Sequence, residues 1–144
     1  MANTFVGSIK EYLMTYPPLA NGVSLDFVDT EPTEYAVQML PELEKIEEYI
    51  VGGGIYGRHF LLNMRAATNE DADRLQNNGF YEAFQDWLYE QSLLGNLPDL
   101  PDGYKSQSIE ALSNGFLMEA SEVLSTAVYS INCRLVYERK FNDD

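Results

Sequence analysis

The sequence predicts an α+β fold: an antiparallel or mixed sheet of about four to six strands, with an N-terminal helix and a long central helix packed on one face. Three observations predict it. Apolar residues recur at helical spacing in two stretches, 4–16 and 70–94. From 126 to 138 they alternate strictly with polar residues, as on a strand with one buried face. The order of elements (helix, several strands, long helix, further strands) lacks the regular β-α-β alternation of a parallel sheet. The 144 residues fit a single domain spanning 1–144.

In the first helix Phe5, Ile9, Tyr12, Leu13 and Tyr16 share one face. Asn3 or Thr4 caps it, and Pro17-Pro18 ends it, because proline disfavours a helical residue before it. Strands follow, in which Val23, Leu25 and Phe27 alternate with Ser24 and Asp26, and Tyr35, Val37 and Met39 with Ala36 and Gln38. Residues 29–33 read as the turn between them. Residues 42–51 fit either a helix, through Leu43, Ile46 and Ile50, or a strand leading into the bend at Gly52-Gly53-Gly54. Residues 55–66 read as a long strand with Phe60, Leu62 and Met64 on one side and His59, Asn63 and Arg65 on the other.

The central helix carries Ala72, Leu75, Phe80, Phe84, Trp87, Leu88 and Leu94 at intervals compatible with a 3.6 period. Thr68 or Asn69 supplies its cap, Glu70, Asp71 and Asp73 lie near its positive end, and Gly95 followed by Pro98 and Pro101 stops it. Asn78-Gly79 is a weak point, costing about 1 kcal/mol against alanine, where the helix kinks or divides. The expected core is the Leu75, Phe80, Phe84, Trp87 and Leu88 stripe, with Trp87 largely buried, against Tyr129, Ile131 and Leu135 of the last strand. That strand presents Ala127, Tyr129, Ile131, Cys133, Leu135 and Tyr137 to one side, and Ser130, Asn132, Arg134 and Glu138 to the other. Residues 105–112 are its expected partner, and 115–123 are irregular structure or a further strand.

Charge is the strongest compositional feature: 9 Lys+Arg against 23 Asp+Glu give −14. There is no basic run to neutralise phosphates, so sequence-specific nucleic-acid binding is not expected, and an anionic membrane surface would repel the chain. Nothing approaches ~18 consecutive apolar residues, and residues 1–16 lack a signal peptide's apolar stretch, so a soluble intracellular protein is expected. The acidic balance suits solubility, a surface that does not hold passing DNA, or one that imitates DNA.

Chemistry is sparse. The one histidine, His59, sits on a strand with no second base or ligand in view, and a structural role is expected. The one cysteine, Cys133, falls on the apolar side of the last strand, where a thiol is inert packing. The triple glycine lacks the spacing and trailing Lys-Ser/Thr of a phosphate-binding loop. Glu42, Glu44, Glu47 and Glu48 lack a calcium-loop pattern and read as a solvated or interface face. No catalytic, cofactor-binding or metal-binding residue is nominated, and no cofactor. Ten tyrosines, seven phenylalanines and one tryptophan are many for this length. Tyr81 and Tyr89 lie off the strongest stripe of the central helix and are expected at an interface, where tyrosine is enriched.

The segment Asn78-Gly-Phe-Tyr-Glu-Ala-Phe-Gln-Asp-Trp-Leu, then Gln91 to Gly95, then Asn96-Leu-Pro-Asp-Leu-Pro-Asp-Gly103 resembles the signature region of small tail-completion proteins of phages and prophages of Gram-positive bacteria. These are often labelled minor capsid or tail terminator proteins. The ending Ala127-Val-Tyr-Ser-Ile-Asn-Cys-Arg-Leu-Val-Tyr137 is similar to the family's closing strand, and the glycine bend before Phe60 also fits. The resemblance implies a structural virion component without an active site. Such a protein assembles with itself as a ring of six subunits, caps the tail tube and docks it to a head-completion protein. Its place would be the virion tail, and the host cytoplasm during assembly. Competing readings are an acidic DNA-mimic inhibitor of a DNA-binding enzyme, a head-completion protein, and, weakest, an enzyme. In the ring reading, subunits meet through a sheet edge and the acidic segment 26–48, where Asp26, Asp29, Glu31, Glu34, Glu42, Glu44, Glu47 and Glu48 face only Lys45 in charge.

Overall fold

The computed structural model describes residues 4–19, 23–25, 34–67, 71–121 and 126–140. Helix α1 is Phe5–Leu13, started by Thr4, whose hydroxyl accepts from the Gly7 N–H at 3.1 Å. It is shorter than the predicted 4–16. The N–H groups of Thr15 and Tyr16 bond three residues back, to Tyr12 and Leu13, and the Thr15 hydroxyl donates to the Tyr12 carbonyl at 2.6 Å. The helix thus tightens and closes before the prolines, and a single 3-10 turn, Pro17–Leu19, follows.

The strands are β1 Ser24–Leu25, β2 Glu34–Glu48, β3 Gly53–Ala67, β4 Tyr104–Ala111, β5 Phe116–Ser121 and β6 Thr126–Lys140, with α2 Asp71–Leu94 between β3 and β4. They form one six-stranded mixed sheet in the order β1-β2-β3-β6-β4, while β5 also pairs with β6. The short β1 runs parallel to β2, and all other pairs are antiparallel. Strand β6 is paired along its whole length with β3. On its other side it takes β4 from Cys133 to Arg139 and β5 from Thr126 to Ser130.

Residues 42–51 resolve as the end of β2, a turn, and no helix. Of the expected strand around Val23, Leu25 and Phe27 the described part is β1; Phe27 lies outside the described residues, as do Asp26, Asp29, Glu31, Asn3, Thr68, Asn69 and Glu70. One topological expectation changes. β3 and β4 both oppose β6, so they run the same way, and α2 is the crossover between them. A β-α-β unit is present, split by an antiparallel strand between its two arms.

Alternation assigns the faces. Tyr35, Val37, Phe60, Leu62, Met64, Tyr129, Ile131, Cys133, Leu135 and Tyr137 join Ile9, Tyr12 and Leu13 of α1 and Tyr81, Phe84 and Leu88 of α2 in a single core. Both helices therefore cover one face, and rings seal the seam between them: Tyr12–Trp87 at 5.4 Å and Tyr16–Phe84 at 5.6 Å between centroids. Phe84, Leu88, Tyr129, Ile131 and Leu135 are buried as expected. Phe80 and Trp87 are only partly buried on the flank of α2. The reason is the centre of the helix face, which follows Tyr81, Phe84 and Leu88 and leaves Trp87 as a lid against Tyr12, Tyr16 and Phe84. The Leu75 side chain lies outside the described residues.

Helix α2 runs unbroken through Asn78-Gly79. It stops at Gly95, with φ +77°, where Asn96 N–H reaches Gln91 O (2.9 Å) and Gly95 N–H reaches Ser92 O (3.3 Å). These paired bonds satisfy carbonyls that the helix end would leave open. The Tyr12 hydroxyl then ties the chain down by donating to Asn96 O at 2.8 Å.

Candidate functional site

On the sheet face turned from the helices, polar side chains cross-link the strands. Glu44 of β2 crosses the backbone at Gly57 of β3 to reach Arg134 of β6. A Cβ at Gly57 would lie 2.8 Å from the Glu44 carboxylate and 3.2 Å from Arg134 Cδ, so the missing side chain makes the passage. Arg134 Nη1 donates to both Glu44 oxygens at 3.1 and 3.2 Å, and its Nε and Nη2 donate to Glu110 Oε1 of β4, the former at 3.0 Å. His59 Nε2 donates to Glu44 Oε1 at 3.2 Å. The His59 and Arg134 hydrogen bonds hold the Glu44 carboxyl below its usual range, while the Glu110 and Glu44 bonds hold the guanidinium proton more firmly. A guanidinium occupies the space between the two carboxylates, so this cluster staples four strands and does not present ligands to a metal. A second link joins Gln38, Asn63 and Ser130: Asn63 Nδ2 donates to Gln38 Oε1 (3.2 Å), and Ser130 Oγ to Asn63 Oδ1 (2.7 Å).

Glu44 is thus a strand staple and not a free acidic side chain, whereas Glu42, Glu47 and Glu48 are exposed as expected. They lie on β2, which β1 pairs at Ala36 and Val37 among the described residues. Among the described residues, the outer side of β2 from Gln38 to Glu48 has no strand neighbour. Among the described residues, Glu42, Glu47 and Glu48 of the acidic segment therefore lie on an open sheet edge. Pro41, the charges and two bulges, between Met39 and Leu43 and between Lys45 and Glu47, blunt that edge against indiscriminate pairing.

Tyr81 does not belong to a surface. It is 1% exposed, and its hydroxyl is shared between the carbonyls of Leu62 (3.0 Å) and Tyr129 (2.9 Å), which pins α2 to the two central strands. Its spacing of three before Phe84 and seven before Leu88 was the sequence signal. Tyr89, 67% exposed, does face outward. With Leu93, Gln85, Asp86 and Ser92 it forms one wall of a groove of about 650 Å³, whose other wall is Ser108–Asn114 of β4 and the turn after it. Two side chains cross the groove. Ser92 Oγ donates to Ile109 O (2.5 Å) and accepts from Ile109 N–H (3.1 Å), while Gln85 Nε2 donates to Ser113 O (2.8 Å). Helix α2 therefore occupies the free edge of β4 at Ile109.

A second exposed apolar surface lies at the β2–β3 hairpin, where Leu43, Ile46, Ile50 and Val51 face water. The turn is fixed by Tyr49 N–H to Gly53 O (3.0 Å) and by the Tyr49 hydroxyl donating to Glu138 Oε2 (2.7 Å). Gly54 passes so close to Glu47 that a Cβ would sit 2.1 Å from its carbonyl oxygen.

Cys133 is buried, and burial pushes its thiol far above the ordinary value. Among the described residues no group of three or more His, Cys, Asp or Glu is placed to hold a metal ion, and no helix is long and apolar enough to cross a membrane. Compared with known proteins, the chain matches no family model and no curated sequence.

Proposed function

We propose that this protein is a structural, non-catalytic virion component of the tail terminator kind, which assembles with itself as a ring of six, caps the tail tube and joins it to the head. The observation that carries the reading is the set of exposed apolar surfaces, among them the hairpin tip, the groove beside α2 and Phe116, Leu117 and Met118 of β5, on a chain with a charge of −14. Apolar side chains clustered in this way are what covered surfaces present when their partner is removed. The residues that resemble the family support it from within. The tryptophan helix is α2, the Leu-Pro segment seats Leu97 and Leu100 against the core, and the closing strand is β6. Partners in this reading are further copies, the tail tube protein and a head-completion protein, in the virion tail and, during assembly, in the host cytoplasm. Sedimentation velocity with negative-stain imaging tests it: closed rings are expected, alone or on the end of tail tubes. A monomer that instead captures a nuclease or polymerase in equimolar complex would support the DNA-mimic reading.

A further inference from the structure

We propose that the β2–β3 hairpin tip of one copy seats in the α2–β4 groove of the next. The inference rests on the ring reading and names the two surfaces that close the ring. The tip supplies Ile46, Ile50 and Val51, and the groove supplies Tyr89, Leu93 and Leu112, all exposed. The groove's volume is within the ~300–1,000 Å³ of built binding sites, enough for a turn's side chains. Ser92 already holds both backbone groups of Ile109, so at this point the groove takes a turn and not an added strand.

Charge selects a second copy, and selects its orientation. The sequence has no lysine or arginine between Arg74 and Lys105, and none between Lys105 and Arg134, so neither groove wall carries a cation. Asp86 lines it, Glu82 stands at its end beside Gln85 and Asn114, and Glu110 of the β4 wall is already paired with Arg134. The opposite signs lie at the hairpin end of the sheet. There Lys45 is exposed on β2 and pairs with Glu48 at 3.7 Å, Arg139 and Lys140 lie opposite Gly54 and Gly53, and Lys105 lies opposite Glu138. Glu47 and Glu48 are interspersed there, so that end is mixed in sign where the groove is anionic only. A two-fold contact of groove on groove would set carboxylates only against carboxylates, whereas tip in groove brings Lys45, Lys105, Arg139 and Lys140, together with Glu47 and Glu48, to the anionic wall. The tip joins β2 to β3, and the groove lies beyond β6 on the far side of β4. The contact is therefore head-to-tail, the kind that generates a ring or a filament.

The test uses Val51→Cys and Leu93→Cys, since buried Cys133 does not compete. Mixing the two single variants under mild oxidation is expected to give a disulfide-linked dimer at least tenfold faster than either variant alone. The double variant is expected to give a ladder. Ile50→Asp in the double variant is expected to abolish the ladder without moving the melting temperature, because Ile50 touches solvent only. Rings by sedimentation and imaging, with cross-linking no faster in the mixture and Ile50→Asp without effect, would overturn this contact and leave the ring reading standing. A monomer at every salt and protein concentration, and with tail tubes present, would overturn both.

Discussion

The Tyr81 hydroxyl spans the gap between a helix and the two innermost strands, and removing it should be felt throughout the core. Tyr81→Phe leaves the ring in place but takes a donor from two buried carbonyls, so a loss of about 1–2 kcal/mol in denaturant unfolding is expected. Gly79 is the opposite case. It is exposed in mid-helix, and a Cβ there meets nothing within 4 Å, so Gly79→Ala should stabilise by up to about 1 kcal/mol. Glu44 gives a pH signature. Its native pKa is lowered by His59 and Arg134, so its contribution is present above the unfolded value and is lost as pH falls through the native one. Glu44→Gln should therefore lower the melting temperature at pH 7 and make progressively less difference toward pH 3. The staple was not legible in the sequence: the register that carries Glu44 over Gly57 depends on the bulges in β2, and a bulge leaves no sign in a hydrophobicity pattern.

Elements were most legible where the period is long. The alternation of β6 and the apolar repeat of α2 located both within two residues, because each buries a single face along its length. The stripe read from the sequence runs through Leu75, Phe80, Phe84, Trp87 and Leu88; among the described residues the helix rests on Phe84 and Leu88, as expected, and on Tyr81 in place of Phe80 and Trp87. A tyrosine reads as amphipathic until its hydroxyl's partner is seen. This sets an order for truncations. Phe84→Ala should cost about 3–5 kcal/mol, and half-buried Trp87→Ala distinctly less, both by chemical denaturation. Equal losses would contradict the placement of Trp87 as a lid. The hairpin was ambiguous because Ile46, Ile50 and Val51 satisfy two patterns, and an apolar run at an exposed turn imitates a buried one.

For the whole molecule, the sequence conveyed the class and the number of layers, but not that the crossover is split, since strand order is decided by contacts far apart in the chain. Self-association must overcome a charge of −14 per copy. Repulsion between copies acts over distances that salt screens beyond about 8–10 Å, while the apolar surfaces act only at contact. Light scattering should therefore register stronger association as salt is raised from low ionic strength. A steady weakening would mean that attractive ion pairs dominate.

The sheet is assembled around β6, the last of its strands to be synthesised. Between the end of β3 and the start of β6 the ribosome adds 68–125, which takes about 3–12 s at ~5–20 residues per second. Throughout that interval β3 has a strand partner on one side only. A nascent chain in this state is exposed to strand addition by its neighbours, and the polysome holds many such chains close together. A sheet that closes only once β6 is available is the schedule this topology imposes. A chain stalled before Thr126 should be protease-sensitive in β3, and adding the fifteen residues of β6, Thr126–Lys140, should protect the sheet in a single step.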